Sequence, residues 1–154
     1  ISQAKTGLAG FDARFKRHLI EFELTVDGED PAGKRLDVQL VRGLIAQVLE
    51  NLLTNSVYWV QQSLREPDVV RCMSVDIDSK AFTISVSDNG PGIDPAYRED
   101  VFKPYFTTRK RGKGLGLYIA RELVEYHGGK LYLDSTSDAD GRLRTFVLEL
   151  PKES

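Results

Sequence analysis

The sequence predicts an α+β fold, a two-layer sandwich in which a mixed, mostly antiparallel sheet of about five strands carries helices on one face. Three observations predict it. Strand-like runs recur along the chain and are mostly joined by hairpin connections, two long stretches carry helical periodicity, and the two kinds do not alternate as βαβ units do. At 154 residues the chain has the size of one domain and can bury a real core. Its 41% hydrophobic and 29% charged residues, with a net charge of -2, describe a soluble globular protein rather than a disordered, fibrous or membrane one. This near-balance gives no reason to expect nucleic acid as a partner.

Residues 1–17 are small, polar and weakly patterned, and read as a lead-in or the remnant of an upstream element, with a single domain over 18–154. The chain starts without methionine and reads as a fragment of something longer. No apolar stretch approaches the length of a membrane span, so no membrane contact is expected of this segment, and the first residues lack the features of a signal peptide. Cys72 is the single cysteine. It lies in an apolar run, is expected to pack as a small hydrophobe, and fits a reducing, cytoplasmic compartment.

The first strand is expected from His18 to Val26, ended by Asp27-Gly28 with Pro31 and Gly33. From about Asp37 to Arg65 apolar residues recur at three- and four-residue steps, which predicts a long amphipathic helix. Its other face carries Gln47, Asn51, Asn55, Tyr58 and Gln62. Asparagine competes with the helix backbone for hydrogen bonds, so two of them one turn apart are either solvated face residues or oxygen donors to a ligand. Pro67 stops the helix. A hairpin follows, Val69 to Asp78 and Ala81 to Ser87, turning at Asp78-Ser79-Lys80.

The second hairpin strand delivers Asp88 into Asn89-Gly90-Pro91-Gly92-Ile93, which is either an ordinary hairpin turn or a ligand site, since Asn-Gly supplies turn chemistry and glycines permit positive φ and close approach of a ligand. Asp94-Pro95 reads as an N-cap and first helical position. An aromatic, irregular stretch, Val101 to Thr108, leads into the basic loop Arg109-Lys110-Arg111-Gly112-Lys113-Gly114. A helix from Leu115 to His127 ends at Gly128-Gly129, a C-capping pair. Leu131 to Ser135 and Leu143 to Leu150 close the chain as strands. Cations and glycines running into a helix start make an anion site, for which a polyphosphate is the natural occupant. The spacing is neither that of a P-loop nor that of a dinucleotide fingerprint.

Four segments, in order, carry a resemblance: Asn51-Leu52-Leu53-Thr54-Asn55-Ser56, Asp88-Asn89-Gly90-Pro91-Gly92-Ile93, Val101-Phe102-Lys103-Pro104-Tyr105-Phe106-Thr107-Thr108 and Gly112-Lys113-Gly114-Leu115-Gly116-Leu117. They resemble the asparagine, first glycine, phenylalanine and second glycine boxes of the ATP-binding domain of sensor histidine kinases. That domain belongs to the gyrase, heat-shock chaperone, histidine kinase and mismatch-repair ATPase superfamily and has the Bergerat ATP-binding fold. The resemblance runs from about Leu19 onward. It implies ATP and Mg²⁺ as cofactors. The implied partners are a helical dimerisation and phosphoacceptor domain of a parent chain and a response regulator. The implied location is the cytoplasm, whether or not the parent is membrane-anchored.

The resemblance also assigns roles. Asp88 would accept a hydrogen bond from the exocyclic amine of adenine; guanine presents a carbonyl there, leaving two acceptors and no proton. Asn55 would give its oxygen to Mg²⁺, a hard cation, with Asn51 in support as a catalytic-site residue. Gly90 and Gly92 would let the base approach the backbone, beside Ile93. Gly112, Gly114 and Gly116, with Leu115 and Leu117, would form a hinged lid and an amide cradle over the phosphates. Phe102 and Phe106 would anchor the lid or pack as plain core aromatics, Thr107 and Thr108 would join the nucleotide-binding set, and Thr145 would match the threonine of the last glycine-rich segment, of which Gly141 remains.

Two departures stand out. Three residues beyond the magnesium asparagine, the family's phosphate-binding lysine is replaced by Tyr58. Arg109, Lys110 or Lys113 must then carry more of that charge, and Trp59 would pack near adenine or in the core. Hydrolytic members also have a glutamate one turn before the magnesium asparagine, where it can activate water. Here that slot is Asn51, and Glu50 lies about 100° round the helix. The register therefore favours transfer to a protein nucleophile over an ATP-hydrolysing switch of the chaperone or topoisomerase type. Neither His18 nor His127 sits in an acceptor motif.

Overall fold

The computed structural model describes residues 20–30, 44–62, 70–106 and 115–151. They form five strands and two α-helices: β1 (Ile20–Val26), α1 (Leu44–Gln62), β2 (Arg71–Asp78), β3 (Thr83–Asp88), α2 (Gly116–Tyr126), β4 (Lys130–Leu133) and β5 (Thr145–Glu149). Two short 3₁₀ turns, Pro95–Tyr97 and Asp100–Phe102, lie between β3 and α2. The predicted lead-in 1–17, His18 and the helix flanks at 37–43 and 63–65 lie outside the described residues. So does the loop 107–114.

The sheet runs β1-β2-β3-β5-β4 and is antiparallel except for the parallel pair β1 and β2. That exception follows from connectivity, since β1 reaches β2 through α1, whereas hairpin neighbours must be antiparallel. Strand alternation sets one apolar face. Val75 pairs with Val86, Val86 with Phe146 and Phe146 with Leu133, and all four are buried. The next row, Ile77, Ile84, Leu148 and Leu131, is buried in the same way.

The helices cover this face. Helix α1 buries Ile45, Val48, Leu49, Leu52, Leu53 and Val57, and α2 buries Ala120 and Val124. Leu49, Leu52 and Leu53 are 0% exposed, and each such burial stabilises by about 1.5–3 kcal/mol before entropy is counted. Most of a helix's stability in a protein comes from packing of its apolar face, so this contact is what holds α1 in place.

The other sheet face is polar. Thr25 bonds Asp76 and Ser87 bonds Thr145 there. Cys72 belongs to it as well and is exposed, which corrects the expectation that it packs as a small hydrophobe. Met73 is the inward residue of that part of β2, so its neighbour must point outward. Among the described residues no helix is long and apolar enough to cross a membrane.

The predicted caps are present. Asp94 accepts from Ala96 N at 2.9 Å with Pro95 in the first position, although only one 3₁₀ turn follows. Helix α2 ends at His127, with Gly128 at φ +86° and Gly129 N donating to Val124 O at 3.0 Å.

Candidate functional site

A cavity of about 240 Å³ opens between the two layers, where the end of β3 meets α1, α2 and the start of β5. Asn55 from α1, Asp88 from β3, Pro91, Gly92 and Ile93 from the turn, and Leu117 from α2 all line it. Residues that are 62 positions apart in sequence from first to last thus face one volume. Asp94, Tyr97, Val101, Phe106, Arg142, Leu143, Arg144 and Phe146 complete the walls.

Asp88 is the acidic centre of this space. It pairs with inward-facing Met73, so its carboxylate points to the helix side of the sheet. Its Oδ1 accepts from Gly90 N at 2.8 Å. Enclosure by protein pushes its pKa above the ordinary 3.8, opposed by the Gly90 amide, by nearby Ser56 and by the charge of Arg144. Asp88 is half-buried and lines the cavity. Ser56 Oγ is fully buried and completes no hydrogen bond among the described residues, so its pull on Asp88 is one of proximity.

The turn after Asp88 is held from two sides. Asn89 bonds the start of β2, donating to Val70 O and accepting from Cys72 N, so its role is structural. Of the two glycines, Gly92 alone has positive φ, +76°, and a Cβ there would lie 2.9 Å from Arg142 Cβ. Gly90 is buried and serves through its amide. Ile93 and Leu143 exchange backbone bonds at 2.8 Å, which ties the turn to the segment leading into β5.

Beside the cavity, α2 begins at Gly116, and among the described residues no side chain caps its first amides. A helix start of this kind suits an anion. A Cβ on Gly116 would be 3.8 Å from Asn51 Oδ1, which places Asn51 against this helix start rather than in the cavity wall. Leu115 is the residue before the helix and also stands outside the wall. Glu50 is exposed and outside it too.

One expected position is corrected. Thr145 is not in the cavity: it pairs with Ser87 on the opposite face and bonds its hydroxyl at 2.7 Å. Strand parity gives the cavity-facing places to Arg144 and Phe146. Phe102 is buried beneath the site, edge-on to Phe146 at 6.0 Å with the Arg121 guanidinium 4.7 Å from its ring. Phe106 reaches the cavity instead. Thr107, Thr108, Arg109, Lys110, Lys113 and Gly114 lie outside the described residues, as does the side chain of Trp59.

Arg142 and Arg144 were not anticipated. Arg142 donates to Pro91 O and Gly92 O at 2.8 and 3.0 Å, and Arg144 to Gly90 O and Pro91 O at 2.8 and 3.1 Å. In sequence Arg142 falls in the polar, Gly141-containing loop and Arg144 in the predicted strand Leu143 to Leu150, and the one available signal was their alternation about Leu143.

A one-sided α+β sandwich with an acid-floored cavity beside a helix start is an architecture that can take a nucleotide. The chain belongs to the histidine kinase-, DNA gyrase B- and HSP90-like ATPase family, whose model matches residues 41–154, and within it to the ATP-binding catalytic domains of sensor histidine kinases. The C4-dicarboxylate transport sensor protein DctS of Rhodobacter capsulatus is 33% identical over 138 residues, 90% of this chain and 20% of that protein. The nucleotide-free catalytic domain of histidine kinase ThkA superimposes with a TM-score of 0.77 at 27% identity, covering 98% of this chain and 92% of that one. ThkA in complex with the response regulator TrrA gives 0.72 at 26% identity, covering 99% and 40%. The chain spans about a fifth of the length of the curated relatives it matches.

Asn55 brings one amide oxygen to the cavity wall, a ligand type that a hard cation takes. Among the described residues no group of three His, Cys, Asp or Glu could hold a metal by itself. A hard cation here would rely on the Asn55 oxygen and on the phosphates it accompanies.

Proposed function

We propose that this domain, residues 18–154 with 1–17 as lead-in, binds Mg-ATP and presents the γ-phosphate to a histidine on a separate helical dimerisation and phosphoacceptor domain of its parent. The parent is a two-component sensor kinase whose phosphoryl group passes to a response regulator, with this segment in the cytoplasm. The observation that carries the reading is the single cavity joining Asn55, Asp88, Gly92, Ile93 and Leu117, which come from three separate sequence boxes.

Each group has a task. With Oδ1 engaged by Gly90 N, Asp88 offers Oδ2 to the adenine amine. The first amides of α2 receive phosphate oxygens. Asn55 holds Mg²⁺, which neutralises phosphate charge when bound, while Asn51 steadies the helix start beside it. Thr107, Thr108, Arg109, Lys110 and Lys113, with Gly114, cover the triphosphate, and Trp59 packs at the base end. Phosphoryl transfer needs mostly positioning and charge neutralisation, and these residues supply both. The exposed Glu50, outside the cavity wall, supports transfer rather than water activation.

Calorimetric titration with and without magnesium tests the metal assignment. Asn55→Ala is expected to remove most of the magnesium-dependent gain in ATP affinity and to leave magnesium-free binding nearly intact; equal losses would defeat it. Steady ATP hydrolysis abolished by Glu50→Gln would overturn transfer in favour of a hydrolytic switch.

A further inference from the structure

Arg144 lies in the predicted strand Leu143 to Leu150, where a charged residue ordinarily takes the solvated face. Its side chain is instead only 16% exposed, and every guanidinium nitrogen is used. Nε donates to Gly90 O and Nη2 to Pro91 O, while Nη1 reaches Asp138 and Asp140 and Nη2 also reaches Asp140. A guanidinium is a rigid planar fork, so it fixes the spacing of the groups it joins, which a lysine cannot do.

We propose that Arg144 is a positioning residue for the base-binding end of the site, held by Asp138 and Asp140 and acting on Asp88 through the Gly90-Pro91 backbone. This rests on the ATP-binding reading above. The path is continuous: the aspartates orient Arg144, Arg144 holds Gly90 O, Gly90 N holds Asp88 Oδ1, and Oδ2 is thereby aimed at the base. Arg144 also counters the desolvation that disfavours ionised Asp88. The other groups facing Asp88 are Ser56 from α1 and the Gly90 amide. Arg142 lines the same cavity but bonds one residue further along the turn.

The test titrates wild type, Arg144→Met, Arg144→Lys and the double variant Asp138→Asn/Asp140→Asn with ATP and with adenosine across a pH series, alongside thermal melts. Arg144→Met is expected to weaken both ligands by the same factor, roughly 10- to 100-fold, and to raise the pH below which adenosine binding is lost. Arg144→Lys should restore the pH profile but not the affinity. The double variant alters two exposed carboxylates, so it keeps its fold and decides the matter if Arg144→Met does not fold; it should lose affinity for both ligands. Unchanged adenosine affinity in the folded variants, or a loss confined to ATP, overturns the assignment while the ATP-binding reading stands. A wild type that binds neither ligand overturns that reading itself.

Discussion

At the scale of single residues, Asp88 sets function against stability. Its pKa is raised above 3.8 by enclosure, so the native state holds a proton that the unfolded state releases first. Stability therefore falls as pH rises through that window, and the full cost remains above it. Asp88→Asn is expected to melt above wild type at pH 7, with the difference closing as pH falls toward 3.8. The same variant should lose ATP affinity roughly 10- to 100-fold, because an amide cannot offer a carboxylate's acceptors. Differential scanning calorimetry and ligand titration on one preparation measure both; a variant that melts lower at pH 7 would contradict the buried-charge argument. Asp88 stood out in sequence only in company: a carboxylate leading into a glycine turn can equally be an ordinary hairpin turn, and the boxes spaced on either side of it are what single it out. Arg144 did not stand out, since nothing in a run of alternating charges shows that one of them turns inward. Thr145 was misplaced by one residue because sequence does not set strand parity until pairing is known.

At the scale of elements, two glycines flanking α2 illustrate how packing and ligand demands separate. Gly129 sits where a Cβ would lie 2.6 Å from Glu149 O and 2.9 Å from Val124 Cγ1. Backbone cannot give way there, so Gly129→Ala should cost about 1–3 kcal/mol or more in urea denaturation by prying α2 from β5. Gly116 faces only an ordinary 3.8 Å contact with Asn51 Oδ1. Gly116→Ala should leave stability unchanged or raise it by up to about 1 kcal/mol, since alanine suits a helix better. If the amides at that helix start take phosphate, its ATP affinity falls while adenosine affinity holds. Loss of both would move the phosphate site elsewhere. The elements themselves were readable because burial follows the predicted periods, with α1 hiding Val48, Leu49, Leu52 and Leu53 at three- and four-residue steps. Their partners were less so. The parallel pairing of β1 with β2 depends on the long connection through α1, and alternation within a strand carries no information about its neighbour.

At the scale of the whole molecule, the cavity is a seam between layers that otherwise meet through apolar contact. Asn55 and Leu117 belong to the helical layer, and Asp88, Leu143 and Phe146 to the sheet and its approaches. A ligand in the seam bonds to both and must stabilise their union, because separating the layers destroys the site. At a ligand concentration 100 times its dissociation constant, mass action adds about 2.7 kcal/mol to unfolding. For a chain of 154 residues that raises the melting temperature by about 5–11 °C. Magnesium with ATP should give this shift. GTP at equal concentration should give almost none, since its carbonyl would face the acceptor Oδ2 of Asp88. In Asp88→Asn that preference should shrink, because an asparagine amide can donate to a carbonyl as readily as it accepts from an amine. Equal shifts from ATP and GTP in wild type would mean that the base does not meet Asp88, and the cavity would then need another occupant.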